Sequence, residues 1–246
     1  MYAKSLPLVI LVLLLAACQA IPSAPLIPTP QVWEVAGTPS IGWLAPSMNQ
    51  CLQALPDRAI AYSEYPATSL LDQSADVSLR WDAPIGLNLP TFELGSDHLV
   101  FIVHPKNPLT QLNIVELQAV FTSEYSTWMD ACPECVNMPE GEIELWTYAP
   151  DDDIQNLFEE TILSDSRIST GAYLASSPTD VLNAVSQNPS AIGYLPAAWF
   201  KESSVQEIMI TDLSTTTLTR PVLAITSSQP QGDMSAWLAC LSQLIP

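Results

Sequence analysis

From residue 31 onward, short apolar runs of strand character alternate with stretches whose apolar residues recur every three to four positions. Val32–Val35 reads as a first strand, followed by the polar turn Gly37-Thr38-Pro39-Ser40. A helix is predicted over Leu44–Leu55, because Leu44, Met48, Cys51, Leu52 and Leu55 share one face. Pro46 is tolerable there only in the first turn. Ala59–Tyr62 and Asp76–Trp81 are short strand candidates, and the apolar, β-rich run His98–His104 is expected to be a buried strand. Asn113 opens a helix with Glu116 three positions on, close to a capping box. Ile143–Trp146 reads as a strand, and Asp153–Leu163 as a helix with Ile154, Leu157, Phe158 and Ile162 on one side. A helix through Val181–Val185 stops at Asn188-Pro189. Strands at Ala191–Leu195, Glu207–Ile210 and Val222–Ile225 and a helix over Met234–Leu244 close the chain. This interleaving predicts an α/β fold, a mixed sheet flanked by helices.

The N-terminus has a different pattern. Lys4 precedes an apolar run from Leu6 to Ala17, broken only by Pro7 and ending in Leu15-Ala16-Ala17-Cys18. A basic residue, a short apolar core and small residues are the layout of a secretory signal. The run is shorter than the roughly 20 residues that span a bilayer. Its end resembles the bacterial lipobox, which implies cleavage before Cys18 and lipid on the Cys18 thiol. Residues 1–17 are therefore expected to be a lipoprotein signal peptide. Residues 18–30 are expected to be a semi-stiff tether, since 19–30 hold four prolines and no charge. The mature chain would be exported and anchored on the extracytoplasmic face of a membrane.

Charge narrows the partners. The formal net charge is -19, and without Lys4 the chain carries 6 basic and 26 acidic residues, or -20. Such a chain does not bind nucleic acid through backbone phosphates. Anionic lipid repels it, so lipid and not charge would hold it at the membrane. The acidity is thinly spread except at Asp151-Asp152-Asp153. Besides Cys18 there are four cysteines, and an even count in an exported chain suggests two disulfides. Of the possible pairings, Cys132–Cys135 and Cys51–Cys240 are favoured, the latter tying an early helix to the last one. Zinc at Cys132-Pro-Glu-Cys135 would need a second ligand pair, and a redox motif would need a helix starting at Cys132. His98 and His104 flank one apolar strand with no metal-spaced partner and read as structural. No Gly-x-Ser-x-Gly, phosphate loop or His-Glu-x-x-His occurs, so no catalysis, cofactor or metal is expected.

Three segments carry a resemblance. Leu99-Val-Phe-Ile-Val-His-Pro-Lys-Asn-Pro-Leu109 is followed by Leu117-Gln-Ala-Val-Phe-Thr-Ser123 and Trp128; Asn188-Pro-Ser-Ala-Ile-Gly-Tyr194 comes later; and Trp81-Asp-Ala-Pro84 precedes both. Together they resemble the phosphate-binding proteins of ABC transporters, of the type II periplasmic-binding-protein fold. Ala-Ile-Gly-Tyr is the most specific of these signatures. The resemblance implies two α/β lobes with a ligand cleft between them. Lobe one would be 31–103 plus 199–246, and lobe two 104–198. It also implies a monomer that binds a small solute and hands it to an ABC permease. The alternative is a non-transport sensor or envelope partner that keeps the fold with an altered or lost ligand site.

The ligand-binding candidates are Thr38 and Ser40 before the first helix, Arg80 and Asp82, the turn residues Thr122 and Ser123, Asp151, Asp152 and Asp153, and Tyr194. Anion-binding proteins of this architecture use helix N-termini. Thr38 and Ser40 suit that use. The acidic turn departs from it, because the family offers hydroxyls and a glycine there, and Ser123 replaces a family glycine. A unit-charge contact at 4 Å is worth about 4 kcal/mol at an effective dielectric of 20. Three carboxylates therefore argue against a phosphate dianion. The Asp run reads either as helix capping or as a site for a cationic or metal-linked solute faced by Arg80 and Asp82. Arg80 in turn reads either as a ligand group or as the partner of a nearby carboxylate.

Overall fold

A computed structural model describes residues 29–84, 86–200 and 204–245. The expected signal peptide and the lipidation site Cys18 lie outside the described residues. In chain order come β1 (Gln31–Gly37), a 3-10 turn (Pro39–Leu44), α1 (Ala45–Leu52), β2 (Arg58–Glu64), β3 (Val77–Trp81), β4 (Thr91–Val103) and β5 (Gln111–Leu112). Then follow α2 (Ile114–Phe121), α3 (Trp128–Ala131), β6 (Glu144–Tyr148), α4 (Asp153–Phe158) running into a π-turn (Glu159–Leu163), β7 (Tyr173–Ala175) and α5 (Pro178–Gln187). The chain ends with β8 (Ala191–Pro196), β9 (Gln206–Ile210), β10 (Thr219–Thr226) and α6 (Gly232–Leu244). The mixed α/β architecture read from the sequence is present. The predicted Leu44–Leu55 helix is split, and only its second part is α-helical. Asn113 does form the capping box with Glu116.

The sheet runs β2-β1-β3-β10-β4-β8-β6-β7, with β9 on β4 and β5 on β9. β4 is the hinge of this order. Its residues Thr91–His98 pair with β10, whereas Leu99–Val103 pair with β8, and Phe101–Val103 also pair with β9 on the other side. The sheet thus has two halves that share one strand. At the crossing, the buried Asp97 accepts from the backbone N–H of His98 (2.8 Å) and of Ala198 (3.3 Å). It thereby fastens β4 to the segment that follows β8. Burial raises its carboxyl pKa. Residues 206–210, expected in lobe one, pair only within the second half, on β4 and β5.

The buried apolar residues form one continuous cluster, with an aromatic focus in each half. In the first, Trp33 packs against Trp237 with ring centroids 5.9 Å apart, and Trp237 donates to the Met48 carbonyl at 3.2 Å. The expected Cys51–Cys240 disulfide joins α1 to α6 there, with Cα atoms 5.8 Å apart. In the second half, Tyr194 stacks on Phe158 at 4.2 Å, with Phe121, Phe101 and Tyr148 around it. The expected Cys132–Cys135 disulfide closes the loop just after α3, which ends before Cys132. Gly193 of β8 explains part of the Ala-Ile-Gly-Tyr signature: a Cβ there would lie 2.4 Å from the Val181 Cγ1 of α5. That glycine lets a helix lie close on the strand. Among the described residues, no helix is long and apolar enough to cross a membrane.

Candidate functional site

Where the two sheet halves face each other, a cleft of about 240 Å³ opens at the ends of β3 and β10 and the start of α4. The first half supplies Arg80 and Trp81 from β3, Asp82 just after it, and Arg220 from β10; the second supplies Asp153, Asn156 and Glu160. Arg80 lies one residue from the end of β3, a strand buried along its whole length, and is itself only 8% exposed. A guanidinium this buried needs a partner. It has one across the cleft: Nη2 is bonded to Oδ1 of Asp153, and Nε donates to the Trp81 carbonyl at 3.4 Å. A second, more exposed pair also spans the cleft, Arg220 to Glu160 at 3.3 Å, while Arg220 holds Asp82 at 3.3 Å on its own side.

The acidic turn separates into three roles. Asp151 is exposed and takes φ 68°, so it serves the backbone turn. Asp152 is the N-cap of α4, its side chain accepting from the Ile154 N–H at 2.9 Å. Asp153 faces the cleft. Its Oδ2 is buried and has no hydrogen-bond partner among the described residues, and neither has the indole N–H of the fully buried Trp81. The carboxyl pKa of Asp153 is pushed up to about 7. Burial is the largest cause, opposed by Arg80 and reinforced by the charges of Asp152 and Asp82. Both readings of the Asp run therefore have a residue that fits them, the cap at Asp152 and the site at Asp153. Of the two readings of Arg80, the structure shows the carboxylate partner.

The structure thus brings Arg80, Asp82 and Asp153 together and leaves the other candidates elsewhere. Thr38 and Ser40 are fully buried, their hydroxyls bonded to each other at 2.7 Å and the Thr38 N–H to the Leu79 carbonyl at 3.1 Å. They abut the strand that carries Arg80 but do not line the cleft. Thr122 ends α2 with its hydroxyl on the Ala119 carbonyl (3.4 Å), and Ser123 adopts φ 62°, the left-handed conformation that the family's glycine suits. Tyr194 is wholly buried, its hydroxyl taken up by Thr147 and Gln155 and its ring by the aromatic core. Its contacts in this structure are those of a core residue, and it does not line the cleft. Asn156, Glu160 and Arg220 were missed by the sequence reading. Asn156 and Glu160 stand three and seven positions after Asp153, on its helical face. Arg220 had only its rarity as a signal, being one of 7 basic residues in the chain. Among the described residues, no group of three or more His, Cys, Asp or Glu side chains could hold a metal ion.

A sequence model of the PBP superfamily domain matches residues 59–239, and no curated protein matches the chain. Among solved structures, the chain is similar to a putative phosphate ABC transporter substrate-binding protein with bound phosphate from Clostridium perfringens. That likeness has a TM-score of 0.74 and 14% identity, over 86% of this chain and 93% of the other. It is similar to an ABC-type phosphate transport receptor from Vibrio cholerae with a TM-score of 0.61 and 19% identity, over 86% and 93%. It is also similar to the CcmR regulatory domain of Synechocystis in complex with 2-PG, with a TM-score of 0.61 and 12% identity, over 87% and 96%. At these identities the likeness concerns the fold.

Proposed function

The chain belongs to the PBP superfamily domain family, and from that premise we propose that it is an extracytoplasmic solute-binding protein that passes a small solute to an ABC-type permease. The observation that carries this reading is the cleft itself. Two sheet halves sharing β4 face each other there, and the central pair, Arg80 and Asp153, is charged, buried and partly unpartnered. An exposed charge needs no explanation, but a buried one marks a place where solvent is excluded and a specific partner is accommodated. Each half acts as a lobe, 31–103 with 199–246 and 104–198, with 206–210 counted in lobe two because it pairs there. Opening would part the two cross-cleft ion pairs, and a solute would replace them. Two of the similar structures are transport receptors by their descriptions, which supports transport over the same fold used in regulation. We propose no catalytic role.

The chain would reach its permease as a lipid-anchored monomer tethered through Cys18, with 19–30 as spacer. A thermal-shift screen of the mature protein against chemically diverse small solutes tests the reading. A bound solute at a hundredfold excess over its Kd stabilises by about 2.7 kcal/mol. At least one saturable stabiliser is expected, and Arg80→Met, which removes a group lining the cleft, should change its affinity. A screen silent across sugars, amines, amino acids and oxyanions overturns solute binding. For the anchor, Cys18→Ser should no longer fractionate with membranes.

A further inference from the structure

The charges in the cleft do not balance, and the imbalance has a direction. Each guanidinium is already engaged: Arg80 by Asp153, and Arg220 by Asp82 and Glu160 at 3.3 Å each. Two cations thus face three carboxylates, with Asp152 close behind. Within the central pair, Arg80 also donates to the Trp81 carbonyl, whereas Asp153 keeps Oδ2 buried and free. An ionised carboxylate oxygen can only accept, so what completes Asp153 must donate. An arriving oxyanion would meet Asp153 in the place beside Arg80 that it would need.

Building on the solute-binding reading above, we propose that the cleft receives a small organic cation, an ammonium or guanidinium group, on the free carboxylate oxygen of Asp153, and that Asp153 turns oxyanions away. The residue acts as the chain's own anion beside Arg80, so it sets the sign of the ligand. A cleft of about 240 Å³ lies below the roughly 300 Å³ of the smallest usual ligand pockets, which limits the solute to a few functional groups. In the state described here the Arg80 guanidinium occupies one oxygen of Asp153, and the incoming cation takes the other or displaces it as the lobes part.

Titration calorimetry on the mature protein at pH 8, above the raised pKa of Asp153, decides it with three probes: agmatine, inorganic phosphate and glucose. Agmatine is expected to bind the unaltered protein, and phosphate and glucose are not. Asp153→Asn should weaken agmatine at least tenfold and admit phosphate. Asp153→Glu keeps the carboxylate and should keep the preference for agmatine, which holds the test open if the Asn variant folds poorly. Phosphate or glucose binding to the unaltered protein while agmatine is silent overturns this inference and leaves solute binding standing. Silence toward all three, with a saturable uncharged or anionic hit in the broad screen, does the same. Silence in the broad screen as well overturns both.

Discussion

The two turns that lead from a strand into a helix on either side of the molecule begin alike and end in opposite chemistry. In the first half, Thr38 and Ser40 follow β1; in the second, Asp151, Asp152 and Asp153 follow β6. The first turn is neutral, buried and closed on itself, hydroxyl to hydroxyl at 2.7 Å. The second is charged and reaches out of its own half to Arg80 on β3. The first turn pairs its two hydroxyls with each other and its Thr38 N–H with the Leu79 carbonyl of β3, and so contributes to packing. The second leaves an atom unsatisfied and depends on the other half, which is the arrangement expected of a site whose partner comes and goes. The same place in the architecture therefore serves stability on one side and, on our reading, recognition on the other.

The largest effect should come from cutting the tie between the halves. Arg80→Met leaves the Asp153 carboxylate buried without its partner and is expected to destabilise by about 3–5 kcal/mol in denaturant unfolding. Adding Asp153→Leu should recover much of that, because an apolar pair can replace a buried ion pair at little net cost. If Arg80→Met costs less than about 1 kcal/mol, the pair is solvated and the contrast between the turns disappears.

The pH dependence should be next in size. The groups around Asp153 are Arg80 from β3, Asp152 beside it, Asp82, and at the rim Glu160 and Arg220. Its folded pKa, about 7, stands above the ordinary 3.8, so the folded chain holds this proton more tightly than the unfolded one. The stability it contributes is complete below pH 4 and is lost as pH rises through 7. Between those values the loss is at most about 1.4 kcal/mol per pH unit. Unfolding of the unaltered protein compared with Asp153→Asn across pH 4–8 isolates it. A stability difference that does not change over that window would mean the carboxyl is not desolvated. The first turn carries no titrating group and should add no such slope.

How much of this could be read from the sequence follows from what each residue does. Strands with an unbroken apolar run, such as Ala191–Leu195, and the capped helix after Asn113 were legible because the signal is local. The first part of β4 was not: Thr-Phe-Glu-Leu-Gly-Ser-Asp over 91–97 is half-exposed, and only pairing with β10 makes it a strand. The π-turn after Phe158 keeps helical apolar spacing and so reads as plain helix. At the site, Arg80, Asp82 and the Asp run stood out by charge in a chain that has little. Arg220 and Glu160 did not, because what qualifies them is a contact across 60 residues. Tyr194 is the opposite case. A residue of a family signature suggests ligand chemistry, but here its surroundings are Phe158, Phe121 and Tyr148, and the signature records packing.

A smaller effect tests the closed character of the first turn. Thr38→Val removes one hydroxyl of the buried pair and leaves Ser40 unsatisfied, which should cost about 1–3 kcal/mol. Thr38→Val with Ser40→Ala removes both and should cost less than the single change. If the double variant is worse than additive, the hydroxyls serve something beyond each other, and the first turn belongs to the ligand site after all. Equal affinity of the double variant for any solute found by screening would keep it out.

The smallest effect divides the acidic run. Asp151, at φ 68°, holds a left-handed backbone that costs an L-residue roughly 1–2 kcal/mol, less for Asp than for most. A glycine there keeps the turn without that cost but gains freedom in the unfolded chain, which offsets part of the benefit. Asp151→Gly should therefore raise stability by no more than about 1 kcal/mol and leave solute affinity unchanged. Asp152→Ala, by contrast, removes the side chain that caps Ile154 and should lower stability by about 1 kcal/mol. Thermal unfolding of the two variants under one condition reads the opposite signs directly. Should Asp151→Gly change solute affinity as strongly as Asp153→Asn does, the run would act as one block of negative charge. The comparison between the turns would then rest on total charge, and the position of one carboxylate oxygen would no longer explain it.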